Sequence, residues 1–257
     1  MAELEKYLYC IIPCQEERTF DVAAIGSEES IVHTVCHEGL AVVVSDSPVK
    51  QYESTRQNMM AHEKVLETIM REFTLLPVRF GTVTDSSSPL EDIKKLLSVK
   101  FEEFNRLLRD MEGKVELGLK AFWRDEKAIF EEIVAENAEI RRLRNSLSGK
   151  SAAATHFDRI RLGEMVKKAM DRKRAKEADK ILLPLRQVAY KIRENEVLAD
   201  RMVVNAAFLV DRNRVPDFDQ AVNNLDEQLG KRIALKYVGP APPYNFVNIV
   251  VSWQEIR

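Results

Sequence analysis

Between a strand-like segment at Lys114–Trp123 and another at Met202–Val210, apolar residues recur only at helical spacing, and this long insertion limits the folds open to the chain. Phe130, Ile133 or Val134, Asn137, Ile140, Arg144 and Leu147 trace a stripe with a period near 3.5. The small-residue run at 147–154 reads as a loop. A second helical run opens near Thr155 and reaches Glu196, with a break or kink expected at Pro184. Helices of about 25 residues extend about 37 Å, whereas a compact domain of about 145 residues has a gyration radius near 15 Å. The insertion therefore predicts an antiparallel helical arm, with long helices at about 125–196. Within it, Asp171–Lys180 offers only Ala175 and Ala178 as apolar contacts and reads as solvent-exposed.

The insertion also carries the charge asymmetry. Residues 1–112 hold 12 Lys+Arg against 20 Asp+Glu, while 141–180 hold 13 against 5, in a chain whose net charge is only -2. Such a stretch is either a solvated helical face or a partner signal. Hydrophobic residues at 45% and charged residues at 31% exclude disorder over most of the chain. The longest apolar stretch, Val203–Val210, falls far short of the ~20 residues of a membrane helix. The acidic start Met1–Lys6 lacks a signal peptide's basic region, and three Cys suit a reducing compartment, so a cytoplasmic protein is expected.

The first half alternates periods. Tyr7–Pro13, Ile31–His37 and Leu40–Ser45 read as strands, the last two joined by Glu38-Gly39 into an antiparallel hairpin. The apolar run of Leu40–Ser45 implies burial on both faces. Helical spacing follows over 53–73, then a strand at 75–83 in which Pro77 favours a sheet edge or a bulge. Ser88-Pro89 opens a helix running to about Met111. After the insertion come a helix over 217–230, a strand at 233–238, a rigid turn at 239–244 and a last strand at 246–253. This order predicts an α+β protein of two ferredoxin-like α/β-sandwich domains, 1–112 and 113–257, with helices on one face of each sheet and the second domain decorated by the arm.

Chemistry is hard to find. No two glycines lie closer than Gly113 and Gly118, so no glycine-rich phosphate loop exists. His62-Glu63 begins a zinc-type HExxH, but Leu66 holds the second His position, and His62 reads as a helix-face residue. Cys10, Cys14, Cys36 and His37 lack the second CxxC of a zinc site and read as buried thiols and strand-surface residues. Adjacent carboxylates such as Glu131-Glu132 do not face each other on a helix. Neither cofactor, metal nor catalytic residue is expected. The basic stretch 141–180 leaves an RNA-binding module as the alternative function, although no RNP1 pattern is present and no aromatic lies between Phe157 and Tyr190.

Three segments carry a resemblance. The strand Leu75-Leu-Pro-Val-Arg-Phe-Gly-Thr-Val83, the strand Lys114–Trp123 and the segment Tyr237-Val-Gly-Pro-Ala-Pro-Pro-Tyr-Asn-Phe-Val247, preceded by Tyr7-Leu-Tyr and by a helix bearing His62-Glu-Lys-Val-Leu66, together resemble the GvpF/GvpL family of gas vesicle proteins. The resemblance spans essentially the whole chain. Its length and two-domain layout suit the F type, and Ala241 stands where family members often carry Trp. The resemblance implies a non-enzymatic accessory or minor structural component of gas vesicles, located there and contacting the major shell protein GvpA and possible further accessory gas vesicle proteins, with neither nucleic acid nor membrane as partner. The motif residues are Pro77, Arg79, Phe80, Gly81, Gly239, Pro240, Pro242, Pro243, Tyr244 and Phe246. Their physical readings are structural: backbone freedom after the strand at Gly81 and a positive-φ turn position at Gly239, fixed φ at Pro242 and Pro243 with a cis bond open to either, and a carboxylate or sheet-interface partner for Arg79.

Overall fold

The computed structural model describes residues 4–27, 29–85, 87–151 and 153–256. The acidic start at Met1–Glu3 and Ala152 of the small-residue loop lie outside the described residues. The chain divides into two compact units, Met1–Glu116 with Gly239–Arg257, and Leu117–Val238. The sequence reading kept everything after residue 113 in one domain. The difference lies in the C-terminal segment. Backbone and side-chain bonds hold it to the first unit: Asn245 N–H donates to Glu116 Oε2 at 2.8 Å, and Trp253 Nε1–H to the Val83 carbonyl at 2.7 Å.

In the first unit, β1 (Glu5–Pro13), β2 (Thr19–Phe20), β3 (Val32–His37), β4 (Leu40–Ser47) and β5 (Leu76–Pro77) form a sheet in the order β2-β3-β4-β1-β5. The β3–β4 hairpin forms as expected, because Glu38 at φ 51° and Gly39 at φ 89° give the left-handed pair that a two-residue turn between twisted strands requires. A register shift between Leu8 and Cys10 keeps Tyr7, Tyr9, Cys10 and Ile12 in one apolar cluster. That cluster packs against Val65, Leu66 and Ile69 of α1 (Arg56–Ile69), whose N-cap Thr55 accepts the Asn58 N–H at 3.2 Å. Leu8, Ile11, Val42 and Val44 fall outside the cluster yet are fully buried. Strand alternation turns them to the other face, where α2 (Pro89–Val99) and α3 (Phe101–Met111) contact β1, β3, β4 and β5. Helices thus cover both faces, not one. The expected helix to Met111 is two helices broken at Lys100.

The expected strand at 75–83 is mostly absent. Only Leu76 and Pro77 form a strand against β1, at the sheet edge, and an isolated bridge from Val83 to Tyr7 is the remaining antiparallel pairing with it among the described residues. Beyond them Gly81 turns the chain at φ 81°. The expected strand at 246–253 is likewise replaced by a turn, a single bridge from Ile249 to Val78, and α8 (Trp253–Ile256).

In the second unit, β6 (Lys114–Trp123) is followed by α4 (Glu126–Glu136), α5 (Ala138–Leu147), α6 (His156–Arg186), β7 (Lys191–Glu194), β8 (Met202–Asp211), α7 (Val215–Leu229) and β9 (Ile233–Ala241). The sheet order is β7-β8-β6-β9, with β7 and β8 antiparallel. Counting the α4–α6 insertion as one helical element, the order is βαββαβ, the ferredoxin-like pattern. Strand β7 completes it and replaces the helical run that was expected to reach Glu196. Pro184 sits in the last turn of α6 and causes no early break. The first helix of the arm is interrupted at Asn137, whose Nδ2–H bonds the Ile133 carbonyl at 2.7 Å in competition with the backbone.

The polar segment 171–180 is not a solvated face throughout. Its side chains form a seam against the sheet and α4. Arg174 Nε–H donates to the Met202 carbonyl at 3.0 Å. Lys173 pairs with Glu132 and Glu136, both at 2.9 Å, with its side chain only 14% exposed. Glu177, 12% exposed, accepts the Arg232 guanidinium at 2.8 Å and Trp123 Nε1–H at 2.5 Å.

Candidate functional site

Two of the three motif segments, 75–83 and the C-terminal one, meet in the first unit. The bridge between Val78 and Ile249, with Arg79 N–H donating to the Ile249 carbonyl at 3.2 Å, lays the C-terminal segment beside β5. A cavity of about 380 Å³ opens there, floored by α1 through Met59, His62 and Glu63. Pro77, Arg79 and Phe80 form one wall, and Tyr244, Val247 and Ile249 the other.

His62 is the unusual group. It is 3% exposed, on the buried face of α1, amid aromatic rings. The imidazole stacks on Tyr9 at 5.7 Å and meets Phe80 edge-on at 5.7 Å. Its Nδ1 lies 2.9 Å from the Tyr7 hydroxyl, and that hydroxyl accepts the Gly81 N–H at 3.1 Å. Among the described residues the Tyr7 proton has no acceptor other than Nδ1, so the arrangement that satisfies both groups has Tyr7 donating to Nδ1. Burial lowers the His62 pKa to about 4, so the ring is neutral at pH 7. A neutral ring that accepts at Nδ1 carries its proton on Nε2. Nε2 has no hydrogen-bond partner among the described residues.

On the next position of α1, Glu63 Oε2 accepts the Tyr244 hydroxyl at 2.5 Å, across 181 residues of sequence. Burial raises the Glu63 carboxyl above its usual range, and the Tyr244 bond partly offsets this. Burial around the hydroxyl and the neighbouring Glu63 raise Tyr244 well above the usual phenol range. Arg79 is exposed. Its guanidinium makes no ion pair with any described carboxylate, in contrast to the partner expected from the sequence.

Of the motif residues, Pro77, Arg79, Phe80 and Tyr244 line the cavity, and Gly81 supports it from behind through Tyr7. Gly239, at φ 128°, and Pro240 lie among the last three residues of β9, with the cis bond between these two and not before Pro242 or Pro243. Pro242 and Pro243 are buried in the following turn, and the Pro243 carbonyl accepts the Phe246 N–H at 3.0 Å. Phe246 is half-buried and does not line the cavity. The sequence reading missed Tyr7, His62, Glu63 and Ile249 as site residues. Only the His62-Glu63 pair carried a local signal, and it pointed to zinc.

A second concavity of about 830 Å³ lies in the second unit, between α4, α6 and the segment at 197–200. Phe130, Val166, Met170 and Leu198 give it an apolar floor within a charged rim that includes Glu131, Lys167 and Arg174. Among the described residues no group of three or more His, Cys, Asp or Glu could hold a metal ion. No described helix is long and apolar enough to cross a membrane. Cys10, Cys14 and Cys36 are free thiols.

The two units thus present concave, apolar surfaces edged by polar groups, as binding proteins do. The family described as "Gas vesicle synthesis protein GvpL/GvpF" matches residues 5–248, and the chain belongs to it. It is 26% identical over 246 residues to gas vesicle protein F of Microcystis aeruginosa, covering 95% of this chain and 98% of that one. It is 31% identical over 227 residues to gas vesicle protein F of a Streptomyces species, covering 88% and 92%. The crystal structure of gas vesicle protein GvpF from an Anabaena species aligns with a TM-score of 0.83 at 25% identity, over 97% of this chain and 100% of that chain. That of GvpF from Microcystis aeruginosa aligns with a TM-score of 0.79 at 27% identity, over 95% and 98%.

Proposed function

We propose that this chain is a non-catalytic accessory protein of gas vesicle formation that binds the major shell protein GvpA at the vesicle and docks further accessory gas vesicle proteins. The observation that carries this reading is the family match across residues 5–248, supported by gas vesicle protein F relatives aligned over nearly their whole length. The surface chemistry supports it too. Phe130 and Leu198 are exposed beside the apolar floor of the second unit's concavity, a surface that a hydrophobic partner can cover. The alternative, RNA binding through 141–180, loses part of its charge to internal pairs: Lys173 with Glu132 and Glu136, Arg161 with Glu139, Arg174 with Asp171.

The test is co-purification of the tagged chain with GvpA, together with deletion of its gene in a vesicle-forming host. Capture of GvpA and loss or deformation of vesicles are expected. Normal vesicles in the deletion strain and no capture of any gas vesicle protein would refute the proposal. RNA binding, if present, would weaken steeply between 50 and 200 mM salt, by about 10³-fold or more for six phosphate contacts.

A further inference from the structure

Two donors in the first unit's cavity have no protein acceptor among the described residues. One is His62 Nε2–H, the protonated nitrogen when Nδ1 serves as the acceptor of the Tyr7 proton. The other is the Arg79 guanidinium, which no described carboxylate pairs. The one carboxylate in the wall, Glu63, is engaged by the Tyr244 hydroxyl at 2.5 Å. A buried donor without an acceptor is costly and rare in a native interior. With His62 only 3% exposed, bulk water does not supply the acceptor. Nδ1 belongs to Tyr7 and one ring face to Tyr9, and His62 lines the cavity, so an acceptor reaches Nε2 from there once the lining that closes over this atom shifts.

The remaining lining is apolar at Met59, Pro77, Phe80, Val247 and Ile249, with the exposed Asn248 as its one further polar side chain. At about 380 Å³ the space lies at the small end of ligand sites and suits one aromatic or branched aliphatic group with a short polar head. We propose that this cavity is a binding site for a carboxylate carried on a compact apolar group, the apolar part against Met59, Phe80 and Ile249 and the carboxylate taking the His62 Nε2–H and Arg79 donors. The same chemistry occurs in a free small monocarboxylic acid and in the C-terminal residue of a polypeptide ending in Leu or Phe. The inference goes beyond shell-protein binding and does not depend on it.

The experiment titrates the full chain with 3-phenylpropionate and with its neutral amide, and in a second arm with N-acetyl-Gly-Gly-Phe bearing a free or an amidated C-terminus. Binding is read from amide shifts in 59–63, 77–81 and 244–249 and from the His62 ring ¹⁵N resonances. For the small acid a dissociation constant on the order of 1 mM is expected, with the amide at least about tenfold weaker. The exposed position of Arg79 lets Arg79→Gln fold normally, and it should weaken acid binding about tenfold without altering the amide. His62→Phe should also weaken the acid. Binding of the peptide acid over the peptide amide assigns the site to a chain end; binding of the small acid alone assigns it to a free acid; either supports the site. Equal binding of acid and amide, no effect of Arg79→Gln, or no shifts in these segments at 10-fold excess over the expected constant overturns it.

Discussion

The buried imidazole of His62 sets a pH response that can be calculated. Unfolded, the ring titrates at about 6.5; folded, burial lowers it to about 4. Between these values the unfolded chain binds a proton that the native chain refuses, so stability is fully present above about pH 6.5 and is lost as pH falls toward 4. The limiting loss is about 3 kcal/mol, from 1.36 kcal/mol per unit. About 2 kcal/mol of it is gone by pH 5. With a urea slope of roughly 1–3 kcal/mol/M, the midpoint should fall by about 1 M between pH 7.5 and 5. Trp253 reports on this unit, since its Nε1–H bonds the Val83 carbonyl, and a Trp123→Phe background removes the other tryptophan's signal. Glu63 acts in the opposite direction, because its raised carboxyl binds a proton more readily when folded. Comparison with His62→Phe cancels that contribution, since both proteins keep Glu63. His62→Phe leaves the buried Tyr7 hydroxyl without its acceptor and lowers stability at pH 7 by about 1–3 kcal/mol. The informative quantity is therefore the slope with pH. The same slope in both proteins, or a flat response in the His62 protein from pH 7.5 to 5, would refute the reasoning.

Three further outcomes are expected. Glu177→Ala should destabilise the second unit by about 2–4 kcal/mol in urea unfolding followed by Trp123 fluorescence, because it strips an acceptor from Trp123 and a partner from Arg232; Glu177→Gln, which keeps an acceptor, should cost less. The Arg232 guanidinium, with Lys173, holds the Glu132 carboxyl at about 2, so this carboxylate's contribution is present above about pH 4.5 and fades as pH falls toward 2, a loss that Glu132→Gln should remove from the acid-unfolding curve. Limited trypsin digestion should cut first at Lys150, in the exposed turn between α5 and α6, and first cleavage within β6 or β8 would contradict the fold described.

Much of the fold is legible because its signals are local. Strand β6 runs over Lys114–Trp123 as read from alternation, and the Glu38-Gly39 turn specifies its hairpin by conformation alone. The failures have non-local causes. Strand β7, Lys-Ile-Arg-Glu, is mostly exposed and has no apolar alternation, because an edge strand needs only one neighbour and charges protect its free side. Without it the second unit looked like a decorated relative of the ferredoxin-like pattern instead of that pattern itself. Segment 171–180 looked solvated because its seam is built from Lys173, Arg174 and Glu177, whose partners lie on α4, β6 and the ends of β8 and β9. No periodicity of apolar residues reports such contacts.

The cavity shows the same division between local and distant information. Pro77, Arg79, Phe80 and Tyr244 were identified through resemblance, and each motif by itself has an adequate structural explanation: an edge strand, a glycine turn, a proline-stiffened loop. Neither segment contains a recognisable ligand set. The arrangement arises when the Val78–Ile249 bridge sets them side by side over His62, a residue 55 positions from Tyr7, its hydrogen-bond partner. The Tyr7 oxygen takes the Gly81 N–H, and the Tyr7 proton, which has no other acceptor among the described residues, goes to Nδ1. A lone histidine before a glutamate on a helix thus becomes a neutral donor with a fixed tautomer, while the arginine opposite keeps its charge unspent. Positions that looked structural one at a time acquire a common chemistry, the selection of an acceptor, only when the two segments close on the same helix.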